Sequence, residues 1–120
     1  VSEKRNMIRT MPTGTKLFNQ SGKLHGLPGE KQILKLDMQR TSNMLNSMTV
    51  TPSSDNPIVA ELFRGLEFNQ GQRKLEFPFT LPDNLPAGKY SVVLKATGPL
   101  DSKPDHTVVT SVEVVFEIDK

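Results

Sequence analysis

Near its C-terminus the chain reads Ser111-Val112-Glu113-Val114-Val115-Phe116-Glu117-Ile118, and this stretch decides the fold. Val112, Val114, Phe116 and Ile118 share one parity while Glu113 and Glu117 take the other, so a period of two lays an apolar row along one side of an extended chain. The strand extends back to Thr107, about twelve residues in all, longer than an average strand. Just upstream, Tyr90, Val92, Leu94 and Ala96 alternate with Ser91, Val93 and Lys95, and the intervening residues 97 to 105 are rich in Gly, Pro, Asp and Ser. The two segments are predicted to form a long-looped hairpin.

Further towards the N-terminus, Leu75, Phe77 and Phe79 oppose Lys74, Glu76 and Thr80. Pro78 falls on the outward parity, and because proline removes a ladder donor this strand is predicted to lie at an edge or to carry a bulge. Leu34, Leu36 and Met38 alternate with Lys35 and Asp37. Weaker strands are read at residues 44 to 50, at 58 to 64 and between Asn6 and Met11; residues 58 to 66 also hold good helix formers in Ala60, Glu61, Leu62 and Arg64. Turn clusters at 12–14, 26–29, 52–57, 69–71 and 82–88 separate these segments. About seven short strands and no sustained helical stripe predict an all-β fold, an antiparallel sandwich forming one domain over residues 1–120. Its expected core is Leu34, Leu36, Leu75, Phe77, Phe79, Tyr90, Val92, Leu94, Val112, Val114 and Phe116.

Composition agrees with a chain that folds in water. The 120 residues are 35% hydrophobic and 23% charged, neither a disordered nor a bilayer-entering composition. The net charge of +2 is too small to mark a binder of phosphate backbones, although residues 1 to 40 carry eight basic against three acidic side chains. Those basic residues are scattered, as on a solvated surface. The absence of cysteine excludes disulfides, thiol catalysis and thiolate metal sites. No stretch reads as a signal peptide or a membrane span, and a start at Val1 is expected of a processed form or of a domain cut from a longer protein.

The segment Leu81-Pro82-Asp83-Asn84-Leu85-Pro86-Ala87-Gly88-Lys89-Tyr90 resembles the loop and tyrosine corner that precede the sixth strand of immunoglobulin-like and fibronectin type III sandwiches. The resemblance covers about ten residues. It implies an immunoglobulin-like sandwich in which the Tyr90 hydroxyl pins the loop backbone, and it carries no function.

Candidate chemistry is sparse. His25 and His106 are the histidines, with Glu30 and Asp105 their nearest carboxylates in sequence, and neither histidine has the HExxH spacing of a zinc hydrolase. Met38, Met44 and Met48 lie within eleven residues, with Met7 and Met11 nearer the start; Met38 and Met48 sit on strand patterns, where a flexible thioether fills a core gap, and as the alternative thioethers suit Cu(I). The run Leu85 to Tyr90, Asp105-His106 and Val112 to Phe116 is similar to the last hairpin of small periplasmic copper carriers of the CopC class. That resemblance implies copper held by methionine or histidine; the family's histidine near the N-terminus has no counterpart here, and its dense methionine loop is absent.

No GxSxG elbow surrounds Ser47, Ser53, Ser54 or Ser111, which read as turn or strand-surface residues. Glu76 with Glu67 is a conceivable cross-strand carboxylate pair, whereas Glu113 and Glu117 sit too far apart along one strand to share a proton. Gly65, Gly71, Gly88 and Gly98 form no phosphate loop. Arg73, Lys74, Lys89 and Lys95 are interrupted by acidic neighbours, so nucleic acid is not an expected partner. Sugar or lipid binding would fall to Phe18, Phe63 and Phe68 as exposed platforms, and Asn19-Gln20-Ser21 fits a glycosylation acceptor.

What remains is contact. No cofactor, catalytic residue or membrane insertion is expected. The sequence reads as a non-catalytic structural, adhesive or protein-interaction module of an extracellular, cell-surface or periplasmic assembly, with copper binding and carbohydrate or lipid binding as alternatives. Its partner would be another protein or a neighbouring domain of the same chain, with an oligomer or polymer as one form of the assembly. The surfaces proposed for it are the edge of the 107 to 118 strand, through backbone addition, and an apolar patch drawn from Leu24, Leu27, Leu62, Phe63, Leu66 and Phe68.

Overall fold

The computed structural model describes residues 15–39, 47–99 and 107–120. Within them lie β1 (Lys16–Asn19), β2 (Leu24–Gly26), β3 (Lys31–Gln39), β4 (Met48–Ser53), α1 (Pro57–Leu62), β5 (Glu67–Phe68), β6 (Lys74–Thr80), β7 (Gly88–Pro99) and β8 (Thr107–Ile118). They form two sheets, a small one in the order β1-β3-β6 and a large one in the order β2-β8-β7-β4-β5. The fold is all-β and sandwich-like. The suggested strand between Asn6 and Met11 lies outside the described residues, as do Met7, Met11, Met44, Asp105 and His106.

The alternating segments fold as their parity demands. β7 and β8 pair in an unbroken antiparallel register from Gly88↔Ile118 to Pro99↔Thr107. Leu34, Leu36, Phe79, Val92, Leu94, Val114 and Phe116 are buried in one hydrophobic cluster; Leu75, Phe77, Tyr90 and Val112 are only partly buried and pack against it. Leu75 and Phe77 lie on the edge strand β6, and Val112 on the part of β8 that β2 does not cover. β6 is an edge strand, paired with β3 alone among the described residues, as Pro78 indicates.

Three readings are corrected. Residues 58 to 64 are not a strand: Asn56 Oδ1 accepts the Ile58 N–H (2.9 Å) as an N-cap, and Pro57 opens α1 with its dihedral already set. The chain leaves that helix through Gly65, whose φ of +90° favours glycine. The strand expected at 44 to 50 is β4, from Met48 to Ser53. The sandwich is not wholly antiparallel, because β2 runs parallel to β8 from Leu24↔Phe116 to Gly26↔Ile118. The N-terminal chain crosses from the small sheet, at β1, to the large sheet, at β2, without reversing, and so arrives alongside β8 in the same direction.

Phe63, at the C-terminal end of α1, closes the space between the sheets. It is fully buried, with its ring 4.9 Å from that of Phe79 on the small sheet and 6.2 Å from that of Phe116 on the large one. Such tilted contacts add to the roughly 1.5–3 kcal/mol that burying the side chain contributes. Tyr90 stacks on Phe116 at 5.6 Å, and its hydroxyl donates to the Pro86 carbonyl, pinning the loop before β7.

Candidate functional site

The residues nominated for chemistry are dispersed by the fold. His25 stands on the exposed rim of β2 with Nδ1 3.1 Å from Asp119 Oδ2, side chains 54% and 39% accessible. Glu30 does not join it, because its Oε1 accepts the Leu27 N–H (2.6 Å) and closes the turn between β2 and β3. Among the described residues, no group of three His, Asp or Glu side chains is placed to hold a metal ion. Met38 and Met48, each about 2% exposed, belong to the core, where a flexible thioether fills irregular space. The copper reading therefore loses the two methionines within the described residues.

The aromatic platforms also fail. Phe63 and Phe68 are buried, which leaves only half-buried Phe18. Of the suggested apolar patch, Leu24, Phe63, Leu66 and Phe68 are buried, Leu62 is half-buried, and Leu27 is exposed, so the patch does not exist as a surface. Leu24 is buried where β2 joins β8, whereas Phe63 and Leu66, beside α1, and Phe68, on β5, follow no clear alternation in sequence.

Glu76 and Glu67 fall in different sheets, and Glu76 faces Lys35 across the β3–β6 ladder. Glu113 and Glu117 share the outer face of β8, opposite Val93 and Lys89. Ser54 Oγ donates to the Ser91 carbonyl (2.8 Å) and caps a turn. Lys89 and Lys95 lie on the large sheet and Lys74 on the small one, so the basic residues are divided.

What the fold does assemble is a set of strand edges with different chemistry. Successive backbone amides of a strand point to opposite sides, so one hydrogen bond fixes the direction of all the others. In the small sheet, the Met38 N–H donates to the Arg73 carbonyl (2.7 Å) and the Leu81 N–H to the Glu30 carbonyl (2.8 Å). Odd-numbered residues of β6 therefore face β3, and even-numbered ones face outward. Pro78 occupies an outward position, where its missing N–H costs the ladder nothing and denies a donor to any incoming strand.

The far edge of the large sheet is treated in the same way. The Val50 N–H donates to the Leu66 carbonyl (3.1 Å), so even-numbered residues of β4 face away from β7, and Pro52 is one of them. β5 covers β4 for only two residues, Glu67 and Phe68.

The edge of β8 has no such block. The Asp119 N–H donates to the Gly26 carbonyl (2.7 Å), which sets the odd-numbered residues of β8 outward. β2 covers only Phe116 to Ile118. Val109, Ser111 and Glu113 thus direct their amides to an edge that no described strand pairs, and the twelve residues TVVTSVEVVFEI contain no Lys, Arg, Pro or Gly. β1 passes close by on the small-sheet side, where the Leu17 N–H donates to Thr110 Oγ1 (3.1 Å). The contact edge read from the sequence at 107 to 118 is narrowed: among the described residues it is unpaired only up to Val115. Parity alone was silent on β2, a three-residue segment with no alternation to mark it.

Comparison with protein-family models, with curated proteins and with solved structures gives no match.

Proposed function

We propose that the chain is an immunoglobulin-like sandwich acting as a non-catalytic structural, adhesive or protein-interaction module of an extracytoplasmic or surface assembly, with the β8 edge as its contact. The immunoglobulin-like assignment is supported by the order β8-β7-β4-β5, that of strands G, F, C and C′ in variable-type domains, and by the Tyr90 to Pro86 hydrogen bond at the corner before β7. The Asn-, Thr-, Ser- and Pro-rich connections support the extracytoplasmic setting.

One observation carries the reading: prolines stand at outward positions of β6 and β4, whereas β8 presents outward amides with neither proline nor lysine. Natural sandwiches blunt their free edges, and an edge left unblunted is the place where backbone addition adds a partner strand.

The test compares two edges of one protein. Glu113→Pro removes an outward donor from β8, and Glu76→Pro removes one from β6. Light scattering over a concentration series and co-purification from native material report association, and thermal unfolding reports the fold. Loss of association in Glu113→Pro, with Glu76→Pro like wild type, is expected. Association unchanged in Glu113→Pro overturns the reading.

A further inference from the structure

We propose that the open run of β8 pairs with the same run of a second copy of the chain, antiparallel about a two-fold axis at Val112, joining two large sheets into one. The proposal rests on the edge reading above and adds the identity of the partner strand. In an antiparallel pair centred on one residue, odd-numbered residues meet odd-numbered ones, so both outward rows of N–H and C=O groups are satisfied together. Centred on Val112, Val109 lies opposite Val115 of the second copy and Ser111 lies opposite Glu113, each pair occurring twice.

Side-chain chemistry selects this register. Val109 and Val115 are 57% and 46% exposed on the outer face, and the register turns them into two cross-strand apolar pairs. Pairing about Ser111 would set Val109 against Glu113, and pairing about Glu113 would set two carboxylates face to face. The paired run from Val109 to Val115 ends where β2 takes over at Phe116. A groove of about 350 Å³ lies beside the C-terminal end of this run, between Glu113 and Val115 on one side and Asn19, Gly22 and Lys23, at the end of β1 and in its link to β2, on the other. A second copy is the occupant because its edge is complementary to this one and accompanies the chain wherever the chain is made.

The chain has no cysteine, so introduced thiols report the register directly. Ser111→Cys and Glu113→Cys proteins are oxidised separately and as a mixture, and wild type, Ser111→Lys and Ser111→Glu are compared by sedimentation velocity over a concentration series. The register predicts a disulfide-linked dimer in the mixture and little in either protein alone. It also predicts dimerisation strengthened about tenfold by Ser111→Lys, which faces Glu113 twice, and weakened about tenfold by Ser111→Glu. Thermal midpoints close to wild type confirm that the exposed substitutions leave the fold intact.

A wild-type chain that sediments as a monomer at every concentration, or disulfides that form equally within the single variants, overturns the proposal. If the chain is monomeric yet Glu113→Pro abolishes co-purification of another protein, self-pairing falls and the edge reading survives. If Glu113→Pro changes neither property, both fall.

Discussion

The small and large sheets place similar apolar rows against the shared core, yet they meet solvent differently. On the small sheet the outer face is laced with opposite charges: Lys35 faces Glu76, and Asp37 faces Lys74 with Nζ 3.9 Å from the carboxylate. Its β6 edge carries Pro78 at an outward position. The large sheet sets one such pair, Lys89 opposite Glu117, among Thr49, Thr51, Val93, Thr97, Val109 and Val115, and its β8 edge carries no proline or basic residue. A strand's inward row secures folding, while its lateral row of amides decides whether another chain can be added. Selection can act on the second without disturbing the first, and the two edges differ in that second property.

The largest effect is expected where the sheets have no independence. Phe63→Ala empties a fully buried site that touches both, and denaturant unfolding should show a loss of about 3–5 kcal/mol in a single transition. Two separated transitions would break the comparison, since the sheets would then be separate folding units.

Next comes a contrast within β8. Val112 directs its amide to β7, so Val112→Pro should cost about 3 kcal/mol or more, whereas Glu113→Pro, with its amide outward, should cost less than about 1 kcal/mol. Equal losses in chemical denaturation would invalidate the assignment of outward residues.

Tyr90→Phe deletes the hydroxyl that anchors the corner before β7 and should lower stability by about 0.5–1.5 kcal/mol, read from the denaturant midpoint. Association should not change, because the bond removed is to the Pro86 carbonyl in the loop before β7 and involves no outward amide of β8.

Pro78→Thr sharpens the comparison from the other side. It restores an outward N–H to β6 at a stability cost of about 0.4–1 kcal/mol from the more flexible unfolded chain, and light scattering should detect association through an edge that was silent before. The smallest effect belongs to the charge ladder. Lys74→Ala should change stability by less than about 0.5 kcal/mol, and by less still at high salt, because the lysine side chain is 83% exposed.

Much of this architecture was legible in the sequence, and unevenly so. The β7–β8 hairpin, β3 and β6 were readable because each buries one face along its length, so the side-chain row itself records the period of two. Pro78 disclosed an edge because proline is tolerated in few other places in a sheet. α1 was ambiguous, since Ala60, Glu61 and Leu62 favour a helix while Ile58 and Val59 suit a strand, and the Asn56 cap with Pro57 resolves it. β1, β2 and β5, of four, three and two residues, are too short to display a period. The candidate contact edge was half legible: its length and composition could be read, but not the arrival of β2 over its last three residues.

By itself the sequence determined the all-β class, the inward rows of the long strands, the tyrosine corner and the absence of thiol chemistry. Each is a local property, carried by neighbouring residues through parity, turn dihedrals or residue type. The tertiary structure alone decided that Phe63 and Phe68 are core rather than surface, and that β2 covers β8 from Phe116 onward while leaving its earlier outward amides without a described partner strand. Those outcomes depend on which distant segment arrives beside each residue. An amide's direction acquires meaning as bonded or open only when the neighbouring strand is in place, or is missing.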